Sequence, residues 1–109
     1  MAAAILDLDI NEGETFLMSI DLWENVDQTI PIDITGSTFS GAMQIGQKYI
    51  PLTITIKAPA VNVIEATVDY TTMVDLANTG KYDIEQLTPQ GEKFRLIQGR
   101  IRVNQEVTV

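Results

Sequence analysis

The 109-residue chain contains no cysteine and no histidine. Without a thiolate or an imidazole it can build no Ser-His-Asp or Cys-His nucleophile, no Cys/His zinc site and no disulfide framework. Any catalysis would rest on carboxylates, hydroxyls or lysine. Bases are also scarce, 7 Lys plus Arg against 15 Asp plus Glu, for a formal net charge of -8. Nucleic-acid affinity depends on cations that displace counterions from phosphates, so this balance argues against nucleic acid as a partner. No apolar run approaches the ~20 residues of a membrane helix, which argues against a membrane role. The start, Met1 followed by three alanines, Ile5, Leu6 and then Asp7, has neither a basic leader nor a long apolar stretch. It does not read as a secretion signal. Together with the missing cysteines, this gives the expectation of a soluble protein made in a reducing cytoplasm.

What charge there is lies unevenly. The first base is Lys48, so residues 1–47 hold eight acids (Asp7, Asp9, Glu12, Glu14, Asp21, Glu24, Asp27, Asp33) and no base, while the remainder is neutral. Such a half either forms a solvated acidic surface or docks a basic partner.

The prevailing pattern is alternation of apolar and polar residues, which places successive side chains on opposite faces of a strand. Leu6, Leu8 and Ile10 alternate with Asp7 and Asp9. Over residues 15–23, Phe16, Met18, Ile20 and Leu22 face one way, leaving Leu17 and Trp23 as apolar residues on the polar side. Ile30, Ile32 and Ile34 alternate around Pro31, whose missing N–H suits an edge strand. Residues 38–47 put Phe39, Gly41, Met43 and Ile45 on one face, with Gly41 marking a bulge or a close backbone approach. Ile50, Leu52, Ile54 and Ile56 continue the pattern, and a further strand covers residues 61–68. Residues 70–77 interrupt it, and a cap at Thr71 or Thr72 predicts one short helical turn. Residues 81–87 and 93–103 form a hairpin across Thr88, Pro89, Gln90 and Gly91, a type I turn pattern. A bulge near Gln98 and Gly99 would swap the faces of the last strand. Seven or eight short strands in one domain, residues 1–109, predict an all-β, antiparallel immunoglobulin-like β-sandwich. An up-and-down barrel is the alternative.

Candidate chemistry is thin. Asp7, Asp9, Asn11, Glu12, Gly13 and Glu14 partly echo a calcium loop, but that loop needs flanking helices and a terminal bidentate Glu. The expectation is no metal and no cofactor. Nothing selects a carboxylate pair for acid and base work, so no catalytic residue is assigned and no enzyme is expected. The glycines follow no phosphate-loop pattern. Lys93, Arg95, Arg100 and Arg102 are the one basic cluster and read as cross-strand partners of Asp83 and Glu85. What remains is surface: strand edges, free termini, and a candidate protein interface of Asp7, Asp9, Glu12, Glu14, Leu17 and Trp23.

Residues 80–109, GKYDIEQLTPQGEKFRLIQGRIRVNQEVTV, resemble the closing hairpin of the immunoglobulin-like N-terminal domain of phage baseplate upper proteins and tail-fibre proteins. Residues 30–36, IPIDITG, resemble that family's proline, Asp-hydrophobic-Thr-Gly step, and residues 70–76 fall where it has a short helical turn. The resemblance covers residues 7–109 and implies a virion. In the family this domain starts a longer chain with fibre or receptor-binding elements, whereas here Val109 is the last residue, which suggests an adaptor. The expectation is a structural protein of tail, baseplate or fibre attachment, bound to other virion proteins in a homo-oligomeric or symmetric assembly. A capsid decoration protein and an acidic host-directed inhibitor are the alternatives.

Overall fold

A computed structural model describes residues 4–23, 32, 34–57, 59 and 61–105. It is all-β: β1 (Ala4–Ile5), β2 (Leu8–Asn11), β3 (Phe16–Asp21), β4 (Thr38–Ile45), β5 (Lys48–Pro51), β6 (Thr53–Ile56), β7 (Val63–Val68), β8 (Thr79–Leu87) and β9 (Lys93–Asn104). A six-stranded sheet has the order β1-β9-β8-β4-β5, with β2 also on β9, and a three-stranded sheet has the order β3-β7-β6. The predicted β-sandwich is therefore the observed architecture, with nine strands among the described residues rather than seven or eight, and with β1 and β2 parallel to β9 where the alternation predicts antiparallel pairing throughout. Among the described residues the sheets stay separate, and the barrel alternative falls.

Alternation builds the core. Met43, Ile45, Ile50, Ile64, Ile84 and Ile101 are almost wholly buried, with Ile34 and Met73 closing the space from loops. Each such side chain contributes about 1.5–3 kcal/mol by leaving water. Gly41 marks a close approach, since its register with β8 is unbroken. A Cβ there would sit 2.7 Å from the Asp83 carbonyl and 3.2 Å from Ile54 of the opposite sheet.

Three further expectations need correction. The alternation over residues 50–56 belongs to two strands, because the chain leaves the large sheet after Pro51 and enters the small one at Thr53. Buried Leu52 sits at the crossing, its N–H bonded to the Gly41 carbonyl at 2.9 Å. The bulge in β9 lies at Leu96: Glu85 pairs with Arg95 and Ile84 with Ile97, which leaves Leu96 as the extra residue. As a result Phe94 and Leu96 face inward before it, and Ile97, Ile101 and Val103 face inward after it.

The helical turn over residues 70–77 is absent. Overlapping turns replace it, with Thr72 N–H donating to Asp69 C=O (3.0 Å) and Met73 N–H to Tyr70 C=O (3.1 Å). The capping side chain is Asp69, whose carboxylate accepts from Thr71 N–H at 3.3 Å. The groups that would continue a helix are taken by distant partners. Lys48 Nζ donates to the carbonyls of Thr72 (2.9 Å) and Val74 (2.8 Å), and Gly13 N–H donates to Met73 C=O (2.6 Å). Leu76 N–H donates to Glu12 Oε2 at 2.9 Å, and Asp75 turns the chain at a φ of 55°. Fully buried Met73 anchors the loop from below.

The strand expected around Ile30, Pro31 and Ile32 lies largely outside the described residues. Ile32 N–H bonds to Leu22 C=O (3.1 Å) and Ile34 N–H to Val61 C=O (2.9 Å), single contacts that tie this segment to both neighbours. The turn over Thr88, Pro89, Gln90 and Gly91 forms as predicted: Gly91 N–H reaches Thr88 C=O at 2.9 Å, with Gly91 at φ 87°.

Candidate interaction surface

The acidic N-terminal segment forms one edge of the large sheet, where β1 and β2 both run parallel to β9. Between them the ladder is interrupted and side chains complete it. Leu6 N–H bonds to Gln98 C=O at 3.0 Å, and Asp7 Oδ1 accepts from Arg100 N–H at 3.0 Å. The Tyr82 hydroxyl, projecting from β8, donates to Leu6 C=O at 2.5 Å. Gly99 makes room for this crossing, since a Cβ there would collide with the Leu6 carbonyl. Burial, and secondarily the nearby Asp7 carboxylate, raises the Tyr82 pKa above its ordinary value, keeping the phenol a donor.

Further along the same edge, Asn104 Nδ2 donates to Asp9 Oδ1 (2.6 Å) and to Asn11 Oδ1 (3.1 Å). Asn11 Nδ2 in turn donates to Glu14 Oε2 at 3.2 Å. With Glu12 holding Leu76, all four carboxylates proposed from the sequence accept hydrogen bonds that fasten the edge or its adjoining loop. Charge-assisted bonds of this kind are the stronger class.

The six candidate residues do not form one patch. Asp9, Glu14 and Leu17 line a cleft of about 260 Å³ between β2 and β3, together with Asn11, Thr15 and Met18. Leu17 is 62% exposed there. Asp7 lies instead on the solvent face of the large sheet, beside Lys81 and Arg100. Trp23 is separate again, just beyond β3 and half-buried; its Nε1 is buried without a hydrogen-bond partner among the described residues. Among the described residues no group of three or more Asp or Glu side chains converges to hold a metal.

The sequence named the basic cluster of β9 but not the surface it forms, the solvent face of the large sheet. The bulge at Leu96 places Lys93, Arg95, Arg100 and Arg102 all outward, joining Lys81 of β8. Five of the chain's seven bases therefore share one face, leaving Lys48 and Lys57 elsewhere. Two pairings expected from sequence are present, Lys93–Glu85 at 3.8 Å and Arg95–Asp83 at 3.7 Å. Arg95 Nη1 also donates to Gln98 Oε1 at 3.2 Å. Lys81 and Arg100 stand directly opposite one another across β8 and β9, and neither has an ion-pair partner among the described residues. Like charges in that position destabilise a sheet. A trough of about 700 Å³ runs past them to Ile5 on one side and Tyr49 on the other, which are 75% and 66% exposed. The signal for this face was the pair of adjacent apolar residues Leu96 and Ile97, where alternation slips by one.

Compared with known proteins, the chain matches no family model and no curated protein.

Proposed function

We propose that the protein is a non-enzymatic phage virion component, an adaptor of the tail, baseplate or fibre-attachment region that acts through multivalent protein contacts. The reading rests on the resemblance of residues 80–109, and the observation that carries it further is the strand order. The order β3-β7-β6 in one sheet and β9-β8-β4-β5 in the other supports the immunoglobulin-like reading, in which strands are ordered B-E-D and G-F-C-C′. The segment bearing the resemblance is also the hub of the large sheet, because β9 pairs with β1, β2 and β8. Side-chain hydrogen bonds complete this framework at its edge, and a module with a closed edge suits attachment sites repeated around a symmetric assembly. There, many weak contacts sum through effective concentration.

The test is mass-spectrometric quantitation of the protein in purified particles, followed by localisation in a map of the particle. A fixed copy number at the tail or baseplate is the expected result. Copies spread over the shell would make it a decoration protein. Early synthesis with no copies in particles would instead favour the host-directed inhibitor.

A further inference from the structure

We infer that the trough on the large sheet receives the loop of residues 69–76 from a second copy of this chain, in a head-to-tail contact. The inference rests on the assembly reading above and names the partner that one of its surfaces takes.

Complementarity of both charge and apolar character supports it. The trough presents Lys81 and Arg100, held against one another without an ion pair among the described residues, between the exposed apolar side chains of Ile5 and Tyr49. Two carboxylates line the trough, and each already has a partner: Asp7 accepts from the Arg100 backbone N–H and Asp83 pairs with Arg95 at 3.7 Å. The loop presents the reverse set: exposed Tyr70 and Val74 with the exposed carboxylate of Asp75, beside Asp69 and Glu14, whose carboxylates are exposed while each accepts one local hydrogen bond. Carboxylates between Lys81 and Arg100 would relieve a repulsion that the isolated sheet retains. Tyr70 and Val74 would bury apolar area against Ile5 and Tyr49.

The loop is also preorganised. Lys48, Gly13 and Glu12 fix its backbone, and Asp75 holds a positive φ uncommon outside glycine. A segment already ordered loses little freedom on docking. Because the two surfaces differ, the contact is heterologous: repetition closes a ring if the rotation permits and otherwise extends a filament. Each copy carries a net charge of -8, which opposes approach at long range. At ~0.15 M salt the screening length is ~8 Å, so distant repulsion fades while contact pairs persist.

Sedimentation velocity at that ionic strength, over a wide concentration range, tests the contact. The wild-type mean mass should rise with concentration. A trough-reversed variant (Lys81→Glu, Arg100→Glu) and a loop-reversed variant (Glu14→Lys, Val74→Lys, Asp75→Asn) should each associate at least tenfold more weakly. Mixing the two should restore association, since each then offers the complement of the other. Unfolded protein could not be rescued in this way. If a reversed trough fails to fold, Ile5→Ser with Tyr49→Ser replaces it and should also weaken association tenfold. A wild type that stays monomeric, variants that associate like it, or folded variants that do not rescue one another would each overturn the contact. A monomeric wild type still found in particles would overturn only this contact, whereas absence from particles would remove the assembly reading itself.

Discussion

On the small sheet the outward positions carry Ser19, Thr53, Thr55 and Thr67, with Asp21 and Glu65 and the apolar Leu17 and Val63. On the large sheet the outward positions of β8 and β9 carry Lys81, Asp83, Glu85, Lys93, Arg95, Arg100 and Arg102. The same alternation builds both faces, yet half of one is hydroxylated and the other is densely ionic. The small sheet keeps one uninterrupted register from Phe16 to Asp21, and the one ion pair on it among the described residues is Lys57–Glu65 at 3.6 Å. The large sheet contains a bulge and an edge completed by side chains. Those departures from regular pairing collect the bases on one face and close its edge, so the irregular sheet is where surface chemistry concentrates.

This contrast can be broken experimentally, beginning at the edge. Gly99→Ala pushes a Cβ against the Leu6 carbonyl and should destabilise the fold by about 3 kcal/mol, the upper end for overpacking. Urea titration measures it, and amides of β1 and β2 should exchange faster. A change below about 0.5 kcal/mol, the range of an ordinary surface substitution, would mean that the edge is not packed there as described. Lys48→Met keeps the stem and removes the donor to two loop carbonyls, at about 2 kcal/mol for a charged donor. Faster hydrogen exchange confined to residues 70–77 would locate the loss.

Tyr82→Phe should cost about 1 kcal/mol near neutral pH by leaving Leu6 C=O without its hydroxyl partner. Because the folded phenol's pKa is raised, its stabilisation is complete below the unfolded value near 10 and declines as pH rises through the folded pKa. The gap between wild type and variant should therefore narrow above about pH 10. A gap that widens would reverse the sign of the shift. On the small sheet, Leu17→Ser should change stability by under about 0.5 kcal/mol, because the side chain is mostly exposed. A larger loss would show that this face is covered.

Alternation made most strands legible, from β2 and β3 through β7 to the β8–β9 hairpin, because period two reports which side faces the core. It could not report which sheet a strand joins. Both inner faces of a sandwich point at the same core, so Ile50, Leu52, Ile54 and Ile56 keep their parity while the chain crosses between sheets. The loop over residues 70–77 was illegible for a different reason. Its local composition allows a helical turn, and the groups that prevent one, Lys48 and the Glu12 carboxylate, lie far away in sequence. For the candidate surface, charge counting found the acidic segment and the alternation exposed Leu17, but neither showed that the carboxylates fasten an edge. The basic face depended on a one-residue slip at Leu96, which the sequence signals by the adjacent apolar pair Leu96 and Ile97 and which the pairing places.

The parallel pairing of β1 and β2 with β9 also bears on how the chain acquires its shape. Leu8 is matched to Ile101 and Asn11 to Asn104, so an early segment has no sheet partner until nearly all of the chain described here has been synthesised. At roughly 5–20 residues per second, that wait lasts on the order of five to twenty seconds on the ribosome. During it, Ile5, Leu6, Leu8 and Ile10 are uncovered. Docking of this segment is then a late event in folding, and a slow one, since distant contacts must await loop closure.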